Sequence, residues 1–385
     1  MKILYHHRTA SNDGQAVHIE EMILSLRDLG HEIQIVSPRT QTNNSMGNKI
    51  GWVHNLKGLL PHFIYEVMEL CYNFLEYYRL TIAIKDFEPD VLYVRYNLYM
   101  IAGVIIRRQY NIPLILEVNS PLAEERYQHG GLSLPRMAAW FESKVWKSAD
   151  IVLPVTKVLA DYILNKGVSS RKIMVMPNGI NLSKFSNLYS TEESKKRLGL
   201  QGKLVLGFTG FVRGWHGMDK VIRWMAQNTD YNAHLLIVGD GPVRKELELL
   251  SQTLGIYSNI TFTGVISREN VPEYVAAFDI ALQPAVVYYA SPLKLFEYMA
   301  LSKAIIAPDT PNLREILEDG KNALLFPIEQ DNSFESLLGV LCTNALIRTR
   351  LGLAARQTII NRDLTWLGNA RKIESLCKQL LAFKV

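Results

Sequence analysis

What most constrains this chain is a rhythm that runs twice along it. Short apolar runs without internal polar alternation are separated by longer amphipathic stretches. In the first half the runs are KILYHH, EIQIVSP, DVLYVRYN, PLILEVN and DIVLPVT, with the amphipathic HIEEMILSLRDLG after the first. A strand that alternates buries one face, whereas a strand apolar throughout is covered on both, as parallel strands flanked by helices are. Gly30 stands just past the first expected helix, where a left-handed residue is favoured, and Pro113 precedes a strand where a helix could not continue. The rhythm breaks in PNGINLSKFSNLYSTEES and restarts with KLVLGFTGF, AHLLIVGDGP, NITFTGV, DIALQPA, KAIIAPD and NALLFP. The expected fold class is α/β with two doubly wound, Rossmann-like domains, over 1–183 and 184–365. In the last stretch Trp366, Ala370, Ile373, Leu376, Leu380 and Leu381 recur at helical spacing. They predict a terminal helix over 366–385 that crosses back to the first domain.

A chain of 385 residues exceeds what one core supports, which agrees with two domains. Its 42 basic and 37 acidic residues leave a net charge of +5, and they are interleaved, so no nucleic-acid partner is expected. Cys71, Cys342 and Cys377 lie far apart and form no metal spacing. They read as buried small hydrophobes in a reducing compartment. No window reaches the ~18 apolar residues that span a bilayer, and the N-terminus lacks a signal-peptide core. The expected location is cytoplasmic, with any membrane contact peripheral at the inner face. The aromatic segment from Trp52 to Tyr78 reads as helix, either packed into the core or lying at a lipid interface.

The passage at 291–317 joins a small-residue turn to a helix carrying Lys294 and Glu297. Free N–H groups near Ser291, Leu293 and Lys294, on either side of Pro292, would point at phosphate oxygens, and the helix dipole favours an anion there. Lys294 would add a full charge, and Glu297 could accept from two ribose hydroxyls; alternatively the two are an i, i+3 surface pair. Asp13, Gly14 and Gln15 sit between the first strand and a helix, where backbone can approach phosphate or sugar, or simply make a tight turn. No D-x-D tripeptide occurs, so no metal is expected on a diphosphate. Neither G-x-G-x-x-G after the first strand nor a P-loop is present, which disfavours a dehydrogenase and a nucleoside triphosphatase.

The runs VMPNGIN, GFTGFVRGWHG, VGDGP, FTGV, PLKLFEYMA, NLREIL and DGKNALLF, in that order, resemble glycosyltransferase family 4, and the resemblance covers nearly the whole chain. The opening RTASNDGQAVHIEEMI is similar to members of bacterial exopolysaccharide assembly. The resemblance implies a GT-B fold, two domains facing across a cleft, and retaining transfer from a nucleotide-sugar donor to a glycan or polyprenyl-linked glycan. It places Gly14, Gln15, Gly210, His216, Gly241, Val265 and Glu297 at the donor, with Glu297 as the second glutamate of E-x7-E. Tyr289 stands where the first glutamate belongs. Phe211 and His216 stand where the family has an Arg and a Lys on the diphosphate; Arg213 is expected to substitute. Asn119 stands near the acceptor where many members have His, and can orient a hydroxyl but not act as a base. Glu117, Glu124 and Glu125 are the nearby carboxylates for that task. Arg213, Lys294 and Asn119 are thus the expected catalytic residues. The other readings are a non-catalytic nucleotide-sugar-binding regulator, and a GT-B epimerase or phosphorylase.

Overall fold

The computed structural model describes residues 1–10, 14–38, 62–186 and 189–382. The chain forms two compact units, Met1–Pro177 with Trp366–Val385, and Asn178–Thr365. The chain therefore changes unit at Pro177, not after residue 183. The reason is that Ile180 and Phe185 are buried in the second unit's core, and the Ile180 N–H donates to the Leu364 carbonyl at 3.2 Å.

The first unit carries strands β1 (Lys2–His6), β2 (Glu32–Val36), β3 (Val91–Arg95), β4 (Leu114–Val118) and β5 (Ile151–Pro154). They form one sheet in the order β2-β1-β3-β4-β5, every pair parallel. β3 and β4 are buried along their full length, as strands apolar throughout should be. The helices are α1 (Gly14–Asp28), α2 (His62–Phe87), α3 (Ala102–Tyr110), α4 (Leu122–Gln128), α5 (Pro135–Ser148) and α6 (Lys157–Asn165).

The second unit holds β6 (Leu204–Thr209), β7 (Ala233–Val238), β8 (Ile260–Phe262), β9 (Ile280–Leu282), β10 (Ala304–Pro308) and β11 (Leu324–Phe326). The parallel order is β11-β10-β9-β6-β7-β8. Its helices are α7 (Thr191–Arg197), α8 (Met218–Gln227), α9 (Arg244–Thr253), α10 (Val271–Ala276), α11 (Leu293–Ala300), α12 (Pro311–Arg314), α13 (Ser333–Thr343) and α14 (Ala345–Asn361). The last helix, α15 (Trp366–Ala382), returns to the first unit and packs on α1. There Trp366 tilts on the His18 ring at 4.8 Å, and Asn369 donates to the Pro177 carbonyl at 2.7 Å.

Two expectations from composition fail on α2. Phe63, Phe74 and Tyr78 are exposed, so core packing does not account for the aromatic segment; its part from Trp52 to residue 61 lies outside the described residues. Cys71 is exposed on the same helix, whereas Cys377 is buried and Cys342 half-buried. Among the described residues, no single helix is long and apolar enough to cross a membrane.

Candidate functional site

In the second unit the strand order reverses between β6 and its neighbour β9: the chain runs outward through β7 and β8, then returns to β9, β10 and β11. In such sheets the connections beyond the carboxyl ends of the two central strands diverge, and the gap they leave is where ligands bind. Here the diverging segments are 210–217 after β6 and 283–292 after β9, the latter leading into α11. They carry Gly210, Arg213, His216 and Ser291, and the start of α11 adds Lys294 and Glu297, so one end of this sheet collects most of the residues singled out from the sequence.

Two glycines let neighbouring loops touch backbone to backbone. Gly239 has φ +134, and a Cβ on it would stand 2.2 Å from the Gly210 carbonyl oxygen. A Cβ on Gly241 would meet the Val212 carbonyl oxygen at 1.9 Å. The loops after β6 and β7 are then joined by Gly210 N–H to Val238 O and Val212 N–H to Asp240 O, at 2.9 and 2.8 Å. We expect Gly241→Ala to prise them apart at a cost of about 3 kcal/mol, the upper range for overpacking. Thermal denaturation would register the loss, and an unchanged midpoint would refute it.

α11 forms because LKLFEYMA is rich in helix formers and turns Leu295, Phe296 and Met299 into the core. Its N-cap is Pro292, and no side chain caps its first turn. Tyr298 pins it beneath β6, its fully buried hydroxyl accepting the Thr209 N–H at 2.9 Å. Ser291 holds the start of the unit: its carbonyl accepts from Asn178 Nδ2 at 2.5 Å and its hydroxyl from the Asn178 N–H at 3.4 Å. Asn312 fastens the preceding loop by donating to the Val287 and Ala290 carbonyls at 3.2 and 2.8 Å.

Lys294 and Glu297 are half-buried one turn apart. The Lys294 ammonium lies 3.8 Å from the centre of the buried Phe208 ring, and 3.4 Å from where a Cβ on Gly210 would stand. Burial pulls its pKa from 10.5 down to about 7, against the opposing pull of Glu297. Burial likewise pushes Glu297 up to about 7, although Lys294 and Arg268 work to lower it. A lysine so poorly compensated would be recharged by any anion placed beside it.

His216 supplies no charge. Burial first, then the Lys294 and Arg213 cations, lower its pKa to about 3. Its Nδ1 accepts the Arg213 N–H at 3.1 Å, so the neutral ring carries its proton on Nε2 and offers that N–H as a donor. Where the family has a charged Lys before the glycine, this chain offers a neutral donor, its ring 5.0 Å from that of Phe208. Arg213 is exposed, its guanidinium 5.0 and 4.8 Å from the Phe211 and Trp215 ring centres, and it lines a groove of about 540 Å3 with residues of α8 and α9. Val265 is exposed on the loop after β8.

In the first unit Glu117 is no free base. It is buried at the end of β4, where it accepts from the Tyr93 hydroxyl at 2.8 Å, Asn119 Nδ2 at 2.6 Å and Arg95, with His18 Nε2 at 3.1 Å. Burial alone would raise its pKa, but His18, Arg95 and these hydrogen bonds outweigh it and hold the carboxyl far below its usual range. Asn119 is half-buried and oriented by that carboxylate; Glu124 and Glu125 are half-buried on α4. Gly14 and Gln15 are exposed in the first turn of α1, with Thr9 donating to Gln15 at 3.5 Å, while Asp13 lies outside the described residues. His18 is buried beneath them. Sequence reasoning passed over Phe208 and Tyr298 because apolar residues of a strand end and a helix read as core; only Phe208's position one residue before Thr209, at a carboxyl strand end, could have marked it.

Residues 12–184 match the family described as Glycosyltransferase Family 4, and residues 190–358 match Glycosyl transferases group 1. Over 245 residues the chain is 25% identical to an uncharacterised glycosyltransferase of Methanocaldococcus jannaschii; the match spans 62% of this chain and 60% of that relative, less than two thirds of its length. It is 21% identical over 354 residues to a GDP-mannose-dependent alpha-mannosyltransferase of Mycobacterium tuberculosis, covering 91% of this chain and 89% of the other. Among solved structures, Anabaena HepE in complex with UDP is similar with a TM-score of 0.73 at 15% identity, over 98% of this chain and 100% of that one. With its halves matched in order and its fold shared along the whole length, the chain belongs to the two-domain GT-B glycosyltransferases of family 4.

Proposed function

We propose that this glycosyltransferase moves a hexose, with retention, from a nucleotide-sugar donor to a glycan or polyprenyl-linked glycan in the assembly of a bacterial exopolysaccharide or other surface polysaccharide. It would work in the cytoplasm, in peripheral contact with the membrane's inner face. The observation that carries the donor site is Lys294, a lysine starved of counter-charge at an uncapped helix N-terminus beside the strand-order reversal. Such a site fits a diphosphate. Support comes from HepE, which holds UDP, and from the mycobacterial relative, named for GDP-mannose; the two differ in base, so the base is left to experiment.

In this reading the Lys294 ammonium, with the N–H groups of Ser291, just before Pro292, and of Leu293 and Lys294 in the first turn of α11, holds the departing diphosphate. The His216 Nε2–H, the Gly210 and Gly241 loops and Val265 line the same end of the sheet. Arg213 adds a second, more exposed cation, and the leaving charge is carried by protein without a metal. Glu297 as carboxylate accepts from the ribose hydroxyls. Gly14, Gln15 and Asn119 serve from the first unit. As the bond from the sugar's anomeric carbon to the phosphate oxygen breaks, the acceptor oxygen bonds to that carbon on the same face, and the departing phosphate oxygen takes the acceptor's proton. No protein base is then required, which agrees with Glu117 being fully engaged.

The test is a binding and hydrolysis screen against UDP-, GDP-, ADP- and TDP-sugars, with and without divalent metal. One donor should bind and be slowly cleaved by the wild type and not by Glu297→Ala; binding of none would overturn the reading. Proton linkage gives a second check. A bound diphosphate raises the Lys294 pKa, so above pH 7 binding takes up a proton; a ribose-bound Glu297 must be ionised, so below pH 7 binding releases one. Affinity should therefore peak near pH 7, with the sign of proton exchange reversing there. Calorimetry in buffers of different ionisation enthalpy measures both.

A further inference from the structure

Helix α2 is built inside out. Three of its four acids turn toward the protein, Asp86 in the last turn being exposed: Glu66 accepts from the Tyr99 hydroxyl and the N–H groups of Ser133 and Leu134, Glu69 takes both arms of Arg126 at 2.6 and 2.9 Å, and Glu76 takes Nε and Nη2 of Arg8 at 2.6 and 2.5 Å. Asn73, between them, accepts the N–H groups of Ile101 and Ala102 at 2.8 and 3.1 Å. Outward, every exposed position from Phe63 to Ile82 is apolar, aromatic or Cys71, with Phe74 at 79% and Tyr78 at 63% exposure. At 1.5 Å per residue this stripe is about 28 Å long. An ordinary amphipathic helix of a water-soluble protein does the reverse, and an unbroken stripe of this kind marks a binding face.

The flanks say what binds. The Glu66 bonds to Ser133 and Leu134 set the start of α5 beside the first half of the stripe. The exposed positions of α5 are Arg136, Trp140, Lys144 and Lys147, while its one acid, Glu142, is buried and accepts the Ala123 N–H at 3.3 Å. Near the other end, the Tyr77 hydroxyl donates to Gln109 at 2.6 Å, which places the exposed Arg108 of α3 alongside. An apolar stripe with a basic, tryptophan-bearing border complements an anionic lipid surface, where rings sit at headgroup depth and cations at the phosphates. A second copy docked face to face would bring two basic borders together.

We propose that the outer face of α2, bordered by α3 and α5, docks the protein onto an anionic membrane. This rests on the membrane contact in the function proposed above and names the surface that makes it. The experiment uses the full chain with vesicles of phosphatidylcholine, alone or mixed equally with phosphatidylglycerol, read by co-sedimentation, with UDP-sugar and GDP-sugar binding measured in parallel. The wild type should bind the mixed vesicles more strongly than the neutral ones, and less so as salt rises. Phe74→Ser with Leu75→Ser should weaken binding roughly tenfold or more, and Arg136→Glu with Lys144→Glu roughly fivefold per cation. Circular dichroism checks that the exposed substitutions leave the fold intact. Wild-type protein that binds a nucleotide-sugar but no vesicle would overturn the docking proposal and leave the donor site standing. Vesicle binding untouched by both double variants would also overturn it. So would a concentration-dependent dimer that Phe74→Ser with Leu75→Ser dissolves in the absence of vesicle binding, which would assign the face to a second copy.

Discussion

Replacing Lys294 by methionine is expected to lower turnover by a hundred- to a thousandfold, on the order of what loss of one aligned charge or donor costs at a developing anion. Methionine keeps the chain's length and its packing on Phe208, so the substitution removes the charge and little else. The magnitude follows from the surroundings. The ammonium is held at about pH 7 by burial, on an aromatic face, beside a helix N-terminus whose partial charge has the same sign. Such a site is poorly solvated before the donor arrives, so the interaction with a departing diphosphate is weakly screened. Arg213→Met is the control. Its guanidinium is exposed to water, and the effect should stay within about tenfold. Measuring donor cleavage by both variants decides the assignment: wild-type-like turnover in Lys294→Met removes Lys294 from the mechanism.

A second large effect is expected far from that lysine. Glu117→Ala should destabilise the first unit by about 3 to 5 kcal/mol, because it leaves the buried Arg95 without its carboxylate. Against a total stability of ~5 to 15 kcal/mol, the first unit would then be marginal or unfolded at growth temperature. Denaturant unfolding of the purified variant gives the number, and a wild-type midpoint would show that Arg95 finds another partner. The pH dependence has a definite sign. The folded pKa lies below the unfolded one, so the stabilisation is fully present above the ordinary carboxylate pKa and is lost as pH falls through the acid range. Glu117→Gln should abolish that acid dependence while keeping the shape of the site.

Much of the fold was legible because it is encoded locally. Of the strands predicted from apolar runs, β3, β4, β7 and β10 are buried along their full length while β2, at the sheet edge, is not, and Trp366, Ala370, Ile373 and Leu376 on α15 are buried, as their helical spacing requires. The domain break was legible only to within a loop, since PNGINLSKF has the composition of a linker, yet Ile180 and Phe185 are core residues of the second unit. The donor loop was legible as a passage: turn, lysine and glutamate at fixed offsets on one helix. Its electrostatics were not. Nothing in GFVRGWHG announces that His216 is neutral, because its state depends first on how deeply the fold buries it and then on Lys294, which α11 brings close.

The sequence by itself determined which segments become strands and helices, and which stretch of chain would present Lys294 and Glu297 together. These follow from side-chain period and backbone preference within a few residues. Tertiary structure alone decided that Glu117, an attractive base on paper, is spent on Arg95 and Tyr93, 22 and 24 positions away. It alone decided that Ser291 is held by Asn178, 113 positions earlier. The same holds for α2: the period reports that a helix has an apolar and a polar face, but not which one faces inward. That is settled by Arg8, Arg126 and the N–H groups of Ser133 and Leu134, which reach the helix from distant parts of the chain and draw its acids to the inside.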